Sequence, residues 1–369
     1  MIKIVISNPR KSGKSKIEIR PVQVKNALIY QATTYANNQA FHKNLGGEEL
    51  VIFALDAMAD FKQLNLWAQG LEISVLVNKK GKATIKRQNN QAVKELSLFH
   101  NRKKKYILPD HEPLPFLVEL GVQTPEGKLV DKKIKKFKQI NRFLEFIRDI
   151  EGELPRDRQI TIIDFGCGKS YLTFAVYHYL KNILGLDIKI IGLDLKRDVI
   201  DHCNRLAKKF SYDNLTFLHG DISDFEGVDQ VDLVMTLHAC DVATDFALNK
   251  AVTWGAKVIL SVPCCQHELN REMDRDFLQI INKYGILKER MAALITDGLR
   301  ANLLETKGYQ VQILEFIDMA HTPKNLMIRA VKKGGKPSEK QLMDIKEIED
   351  NLGVELTLQK LLSQGQKKS

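Results

Sequence analysis

The chain has 369 residues, of which 44% are hydrophobic and 27% charged, and its formal net charge is +11. This composition is ordinary for a globular protein with room for two domains, and no apolar run approaches the roughly 20 residues that cross a bilayer. The N-terminus has no signal-peptide layout, and the five cysteines all lie between Cys167 and Cys265, so we expect a reducing cytoplasm and no membrane partner.

The positive charge is concentrated in the first part of the chain. Residues 1–155 carry 27 Lys and Arg against 16 Asp and Glu, residues 156–333 carry 23 of each, and residues 334–369 carry 6 of each. A basic segment in front of a neutral one suggests that the first holds a polyanion and the second does the chemistry. The alternative is a basic surface that only keeps the protein soluble.

Residues 1–125 read as a small basic α+β domain. Its patterns predict strands over Lys3–Ser7 and Ile17–Val24, an amphipathic helix over Glu48–Ala68, and a hairpin of Leu71–Val77 with Ala83–Arg87. The type of residues 26–45 stays open, because their apolar side chains follow no clean period.

Two basic clusters in this domain are candidate RNA contacts. The first is the predicted hairpin tip, with Lys79, Lys80 and Lys82. The second consists of Arg102, Lys103, Lys104 and Lys105, beside the aromatic ring of Tyr106. Cations next to an aromatic ring suit phosphate contact and base stacking, although such lysines are often only solvated.

A linker follows over residues 126–158, and its main element is a helix predicted over Lys132–Ile150. Apolar residues face one side of this helix and several lysines the other. We expect it to join the basic domain to the rest of the chain.

A strand, a glycine turn and a helix follow between Gln159 and Leu184. The β-branched run Ile160–Ile163 predicts a buried strand, Gly166 and Gly168 predict a sharp turn, and Ser170 is a predicted helix N-cap. Together they form the first half of a nucleotide-binding α/β unit. Tyr171 replaces the third glycine of the dinucleotide fingerprint, and no phosphate-binding P-loop is present, which argues against NAD binding and ATP hydrolysis.

Strands and helices alternate through residues 159–333, which predicts a parallel sheet. Further strands are predicted at Lys189–Leu193, Leu215–Leu218, Val231–Leu237, Lys257–Val262, Gln310–Ile317 and Asn325–Val331. The last two are joined by a short loop and should form an antiparallel pair. In the helical stretch before them, Asp297 and Arg300 are expected to form a surface ion pair. Residues 334–369 are predicted to form a helical tail.

Three acids follow three successive strands: Asp164, Asp194 and Asp221. Ligands of open parallel sheets bind beyond the carboxyl ends of the strands, so these acids are expected to line one site. With the turn D-F-G-C-G-K-S, they resemble the cofactor site of class I S-adenosylmethionine (SAM) methyltransferases. The resemblance implies a Rossmann-like seven-stranded sheet with SAM as the cofactor. The cofactor-binding residues that it implies are Asp164, Gly166, Cys167, Gly168, Lys169, Asp194 and Asp221.

Two further motifs narrow the resemblance. L-H-A-C-D-V-A-T-D (Leu237–Asp245) and P-C-C-Q-H (Pro263–His267) resemble a branch of these enzymes that includes the tRNA ribose 2′-O-methyltransferases. The branch also includes the methyltransferase-like domains of glutathione S-transferase C-terminal domain-containing proteins. The chain lacks the zinc-binding modules of the tRNA enzymes, and Asp241 stands where they tend to have glycine.

The residues of these motifs are the candidate catalytic group: His238, Cys240, Cys264 and Cys265. Three interpretations remain open: small side chains that pack tight turns, a nucleophile as in RNA cytosine-5 methyltransferases, and a zinc site completed by His238 or His267. Packing is favoured, and no metal is expected.

The sequence as a whole predicts a SAM-dependent methyltransferase that acts on structured RNA, with tRNA slightly preferred over rRNA. The alternatives are a methyltransferase for a small molecule or protein, and a non-catalytic RNA-binding protein that keeps the fold.

Overall fold

The structure is a computed structural model that describes residues 3–11, 13–24, 27–37, 39–89, 106–237, 239–273, 278–316, 325–335 and 337–364. The chain divides into two compact units, residues 1–105 and 106–369. Each unit has its own hydrophobic core. Within the described residues, no helix is long and apolar enough to cross a bilayer.

The first unit is an antiparallel sheet in the order β4-β3-β2-β1-β5-β6-β7, with a helix α1 packed against it. The strands are β1 (Lys3–Pro9), β2 (Lys14–Val24), β3 (Ala27–Ala36), β4 (Gln39–Leu45), β5 (Phe61–Ala68), β6 (Leu71–Val77) and β7 (Ala83–Asn89), and α1 is Gly47–Asp60. The sequence alone leaves the type of residues 26–45 open, and the described residues of this range supply two strands, β3 and β4. The predicted hairpin is present as β6 and β7.

The helix predicted over Glu48–Ala68 is confirmed up to Asp60 and wrong over its last eight residues, Phe61–Ala68. It ends at Asp60, and the chain continues as β5, which pairs with β1 so that Leu64 lies opposite Ile6 and Leu66 opposite Ile4. Leu64 and Leu66 alternate with polar residues, which suits one face of a strand. Pairing with the buried strand β1 therefore outweighs the helical period read from the sequence.

Residues 106–125 were expected in the basic domain, but they belong to the core of the second unit. Leu108, Phe116 and Val122 are fully buried in one cluster with Phe137. This segment contains α2 (Pro115–Glu119), and a short 3₁₀ turn leads into α3 (Ile134–Ile150). The unit boundary lies at residue 105 because these apolar side chains bury themselves against α3.

The second unit is built on a seven-stranded sheet in the order β10-β9-β8-β11-β12-β14-β13. Its strands are β8 (Ile160–Phe165), β9 (Ile188–Asp194), β10 (Leu215–His219), β11 (Leu233–Thr236), β12 (Val258–Ser261), β13 (Tyr309–Glu315) and β14 (Leu326–Lys332). Strands β8 to β12 pair in parallel, whereas β14 is antiparallel to both β12 and β13. This is the predicted class I methyltransferase layout, including the antiparallel final pair.

Helices cover both faces of this sheet. They are α4 (Tyr171–Tyr177), which continues as a π-helical segment (His178–Ile183), α5 (Arg197–Lys209), α6 (Val242–Thr253), α7 (His267–Glu272), α8 (Gln279–Asn282) and α9 (Gly285–Thr306). Ile162 of β8 lies in the core cluster on one face, and Ile163 lies in the cluster on the other. Apart from Thr161 near its start, the strand is apolar up to Asp164, which comes near its carboxyl end.

The tail forms two helices, α10 (Glu339–Leu352) and α11 (Thr357–Gln364), that pack onto the second unit. The Ser338 hydroxyl accepts a hydrogen bond from the Gln341 backbone N–H, as expected for an N-cap, and Gly353 ends α10 in the left-handed conformation. Leu358 of α11 is fully buried, so the tail contributes to the core.

Candidate cofactor and active site

The glycine turn after β8 needs its glycines because of its backbone conformation. Gly166 and Gly168 have φ values of +68° and +51°, which side chains with a Cβ rarely adopt. Ser170 also has a positive φ, +55°, and its hydroxyl donates to the Gly168 carbonyl oxygen at 3.2 Å. Ser170 precedes α4 as predicted, but its side chain does not cap the helix.

The turn opens on a cavity of about 660 Å³ at the carboxyl ends of the parallel strands. This volume lies within the range of small-molecule and cofactor sites. All the residues predicted to bind the cofactor line it: Asp164, Gly166, Cys167, Gly168, Lys169, Asp194 and Asp221. The fold thus brings together the three acids that lie 57 positions apart at most in the sequence.

Asp164 is a buried carboxylate with unused hydrogen-bonding capacity. Its Oδ2 accepts a hydrogen bond from the Thr173 hydroxyl at 2.5 Å, and its Oδ1 has no partner among the described residues. Burial raises the pKa of Asp164 to about 7, against the Thr173 hydrogen bond, which lowers it. A cationic ligand group would satisfy the second oxygen, and SAM carries two such groups, an ammonium and a sulfonium.

The other two acids are fixed by backbone hydrogen bonds. Asp194 accepts from the Gly168 N–H at 2.9 Å and from the Lys196 N–H at 3.0 Å, so it also holds the glycine turn in place. Asp221 accepts from both the backbone N–H and the hydroxyl of Ser223, which lowers its pKa and keeps it ionised. Each carboxylate retains lone pairs for hydroxyl or amino donors of a nucleoside.

Several residues that line the cavity were not among the predicted site residues, and three of them bear on ligand binding. Leu195 and Ile222 each follow one of the acids and supply apolar surface of the kind that an adenine ring needs. Lys136 of α3 was assigned to the outer side of its helix, but it lines the cavity. Burial, and secondly the charge of Lys133, lowers the pKa of Lys136. In the helical period of α3, Lys136 lies at the edge of the apolar face. At such a position the sequence does not distinguish a lysine that lines a cavity from one that is exposed to solvent.

The predicted catalytic cysteines come together at the next two strand ends. The Cys240 Sγ lies 3.3 Å from the Cys264 Sγ, and the Sγ atoms of Cys240, Cys264 and Cys265 all lie within 4.8 Å of one another. Cys240 is exposed and lines the cavity. His238, the fourth predicted catalytic residue, lies outside the described residues.

Two thiols of the site, those of Cys264 and Cys167, are poor candidates for a nucleophile by themselves. Burial, reinforced by Cys240 and Cys265, raises the pKa of Cys264 to about 12. Burial also raises the pKa of Cys167. A nucleophilic cysteine needs a thiolate, so these two groups are in the unreactive form near neutral pH.

Asp241, next to Cys240, has a φ of +54°. Residues with a Cβ rarely adopt this conformation, whereas glycine adopts it readily. Here an aspartate adopts the unfavourable backbone conformation. Its Oδ1 accepts a hydrogen bond from the Glu268 N–H at 3.1 Å. That bond joins the loop after β11 to the start of α7.

Arg300 connects the two loops that carry the cysteines, the loop after β11 and the loop after β12. Its guanidinium donates to Asp245 and Asp297, and to the Asp241 backbone carbonyl at 2.9 Å, while Asp297 accepts from the Gln266 amide at 3.0 Å. The expected pair of Asp297 and Arg300 is therefore present, but its predicted surface location is wrong, because both side chains are buried. We call Arg300, Asp245, Asp297 and Gln266 the Arg300 network.

The hairpin tip in the first unit presents three of the predicted RNA contacts. Lys79, Lys80 and Lys82 are all exposed, and the Asn78 side chain shapes the turn by accepting from the Lys80 and Lys82 backbone N–H groups. The second cluster, Arg102, Lys103, Lys104 and Lys105, lies outside the described residues.

Residues 135–272 match a family model described as a methyltransferase domain. The match begins in α3 and ends with α7, so it contains the glycine turn, the three acids and the three cysteines. The match supports the resemblance of the sequence motifs to methyltransferases. It does not support the narrower resemblance to the tRNA ribose 2′-O-methyltransferases.

Curated and solved proteins were also compared with the chain. A glutathione S-transferase C-terminal domain-containing protein of Bos taurus is 23% identical in an alignment of 238 positions that covers 57% of this chain and 36% of that protein. The chain thus spans little more than a third of that relative's length. The DszA carbon methyltransferase structure is 15% identical, with 60% of this chain and 59% of that one covered and a TM-score of 0.35. The SAM-bound magnesium protoporphyrin IX methyltransferase of Synechocystis is 13% identical, with coverages of 55% and 82% and a TM-score of 0.34.

Proposed function

We propose that this chain is a SAM-dependent methyltransferase that acts on structured RNA, with tRNA slightly preferred over rRNA. The enzyme class and the cofactor are supported by the methyltransferase domain match and by the glycine turn and acids of the cavity. The RNA substrate is supported by one observation above all, the distribution of charge between the two units.

The unit boundary makes this charge division sharper than the sequence alone suggested. Residues 1–105 carry 19 Lys and Arg against 7 Asp and Glu, a net charge of +12. Residues 106–369 carry 37 against 38, a net charge of −1. The cofactor cavity lies wholly in the second unit. A unit that holds the entire excess of positive charge and none of the cofactor residues suits a polyanionic substrate.

Preference for tRNA rests on the motifs around Cys240 and Cys264, which resemble those of the tRNA ribose 2′-O-methyltransferases. When bound, SAM would supply the methyl group that is transferred to a nucleophilic atom of the RNA. The chain's own residues supply the frame for that step. Asp164 would face the cationic part of the cofactor, Asp194 and Asp221 would accept hydrogen bonds from its nucleoside part, and the loop of Cys240 would form the adjoining wall. A cytoplasmic location is part of the same proposal.

Charge reversal at the hairpin tip tests RNA binding. If the two basic clusters together neutralise about four to six phosphates, log affinity for tRNA should fall with log salt at a slope of about −3 to −5. Changing Lys79, Lys80 and Lys82 to Glu should weaken tRNA binding at least tenfold and reduce that slope by about 2. Reversal of Lys103, Lys104 and Lys105 should act in the same direction.

The matched control reverses three exposed lysines of the second unit, Lys283, Lys340 and Lys346. This control changes the net charge by the same amount as the hairpin variant. Because its lysines lie outside the basic clusters that are proposed to bind RNA, it should leave the salt slope within experimental error of the parent. SAM affinity should stay unchanged in all variants. Equal loss of tRNA binding in the hairpin variant and the control would show a non-specific charge effect and remove the support for RNA.

A further inference from the structure

We propose that Cys240, Cys264 and Cys265 bind one zinc ion at the wall of the cofactor cavity. From the sequence no metal was expected, because C-C-x-H alone offers poor tetrahedral spacing. The fold changes this assessment by adding Cys240 from the loop after β11 to the pair after β12.

The sulfur positions suit the ion. A tetrahedral zinc site has Zn–S bonds of about 2.3 Å, so its sulfur atoms lie about 3.8 Å apart. The Cys240–Cys264 Sγ separation is 3.3 Å, and no pair of the three exceeds 4.8 Å. Side-chain rotations that move each sulfur by less than about 1 Å would thus equalise the three separations. Among the described residues, this is the cluster whose ligand atoms are grouped closely enough for a metal.

The backbone that carries the three cysteines is held from outside the cluster. Arg300 binds the Asp241 carbonyl, one residue after Cys240, and through Asp297 it positions Gln266, one residue after Cys265. One buried side chain thus fixes the relative position of both cysteine-bearing loops. Metal sites depend on such outer hydrogen bonds to orient their ligands.

Three protein ligands leave one position of a tetrahedral zinc ion for another group. Cys240 lines the cavity, so that position is accessible to water or to an atom of the substrate. Binding converts three thiols into thiolates, releases their protons to solvent, and gives a site with a net charge of −1. Thiolate ligands select zinc over magnesium or calcium, which prefer oxygen.

Zinc titration of the reduced full-length protein tests the proposal, and it requires neither RNA nor SAM. With a chromogenic chelator as competitor, we expect one Zn²⁺ per chain. Cobalt substitution should give the intense thiolate-to-metal absorption of a sulfur-rich site. Cys240→Ser, Cys264→Ser and Cys265→Ser should each weaken zinc binding at least tenfold and reduce that absorption.

Cys203→Ala is the matched control, because Cys203 is a buried cysteine on α5 outside the cluster, and it should keep the full zinc stoichiometry. Circular dichroism of each variant separates loss of the ligand from loss of the fold. Absence of zinc from the reduced protein, or retention of parental affinity in all three cluster variants, would overturn the proposal. If oxidation produced a Cys240–Cys264 disulfide in a protein that never bound zinc, the pair would be a redox pair and the metal assignment would be wrong.

Discussion

The Arg300 Nε lies 2.8 Å from the Asp245 Oδ1, and both side chains are only about 1% exposed. A second acid, Asp297, accepts from the same guanidinium at 3.1 Å. Burial raises the pKa of both carboxyl groups, and Arg300 opposes that rise. One buried cation therefore lies between two buried acids, and it also contacts the loop that carries Cys240.

Removal of this cation should be among the most destabilising single changes in the chain. Arg300→Met keeps an apolar stem of similar length but leaves two buried acids without a counter-charge, and we expect a loss of about 3–5 kcal/mol in the free energy of unfolding. Urea denaturation measures it. Arg142→Ala is the control, since Arg142 and Glu145 form an i,i+3 pair of the same spacing on a partly exposed surface. That change should cost about 1 kcal/mol or less. Equal losses would contradict the structural role of Arg300.

The sequence did not reveal the Arg300 network for a physical reason. Asp297 and Arg300 have the i,i+3 spacing of an ordinary solvated helix pair, and local spacing carries no information about burial. Their depth is set by α6, which brings Asp245 from 55 residues away. By contrast, the acids at the ends of β8, β9 and β10 were predictable, because a parallel sheet gathers its strand ends at one edge whatever the details of packing.

The first unit illustrates the same limit at the level of secondary structure. Phe61–Ala68 fitted a continuation of the preceding amphipathic helix, and only its pairing with β1 makes it a strand. The spacing of apolar residues predicted the secondary structure correctly where a segment is buried on both faces, as in β8. It was also correct where a short basic loop joins two segments in which apolar and polar residues alternate, as in the β6–β7 hairpin. It failed where a distant strand decided the outcome.

Cofactor binding should depend on Asp194 and Gly168. Asp194→Ala removes an acceptor for the nucleoside and the hydrogen bond that holds the glycine turn, so we expect a loss of roughly 1–3 kcal/mol in affinity for S-adenosylhomocysteine. Gly168→Val should also weaken binding, because φ is +51° and its side chain would project into open cavity space. Calorimetry measures both. Asp201→Ala, an exposed acid on α5, should bind like the parent. Parental affinity in both test variants would refute the site.

Asp164 should make the stability of the cofactor-free protein depend on pH. Its pKa is about 7 in the folded state, above the value of 3.8 for an unperturbed carboxyl. Below pH 3.8 both states hold the proton; between about pH 4 and 7 only the folded state keeps it. The free energy of unfolding should therefore fall as pH rises through this window, by about 4 kcal/mol at most from this group.

Asp164→Asn should remove that contribution. Urea denaturation of the parent and the variant at pH 5 and pH 8 gives the test, because every other titrating group is common to both proteins. The difference in stability between the two proteins should shift in favour of the variant at pH 8. A difference that is independent of pH would show that Asp164 titrates at its ordinary value.

Lys136 is expected to bind the carboxylate of the cofactor's methionine part. It is a half-buried cation that lines a cavity containing three acids, and a ligand carboxylate is the natural counter-charge. Lys136→Ala should weaken S-adenosylhomocysteine by about 1.5–3 kcal/mol. Methylthioadenosine, which lacks the amino-acid part, should bind the variant and the parent equally. Lys135→Ala, an exposed neighbour, should change neither affinity. Equal weakening of both ligands by Lys136→Ala would assign the lysine a purely structural role.

The division of the chain predicts where a functional fragment can begin. A fragment of residues 106–369 retains the buried Leu108, Phe116 and Val122 that pack against Phe137, and it should bind S-adenosylhomocysteine like the full chain. A fragment that starts at Lys132 loses all three. Single large-to-small changes at such positions cost about 2–5 kcal/mol, so the shorter fragment should be unfolded or aggregated. Circular dichroism and calorimetry compare the two.

The longer fragment should methylate tRNA poorly while it keeps the cofactor, because it has lost the net charge of +12 carried by residues 1–105. Undiminished methylation by that fragment would show that the basic unit is not needed for the substrate.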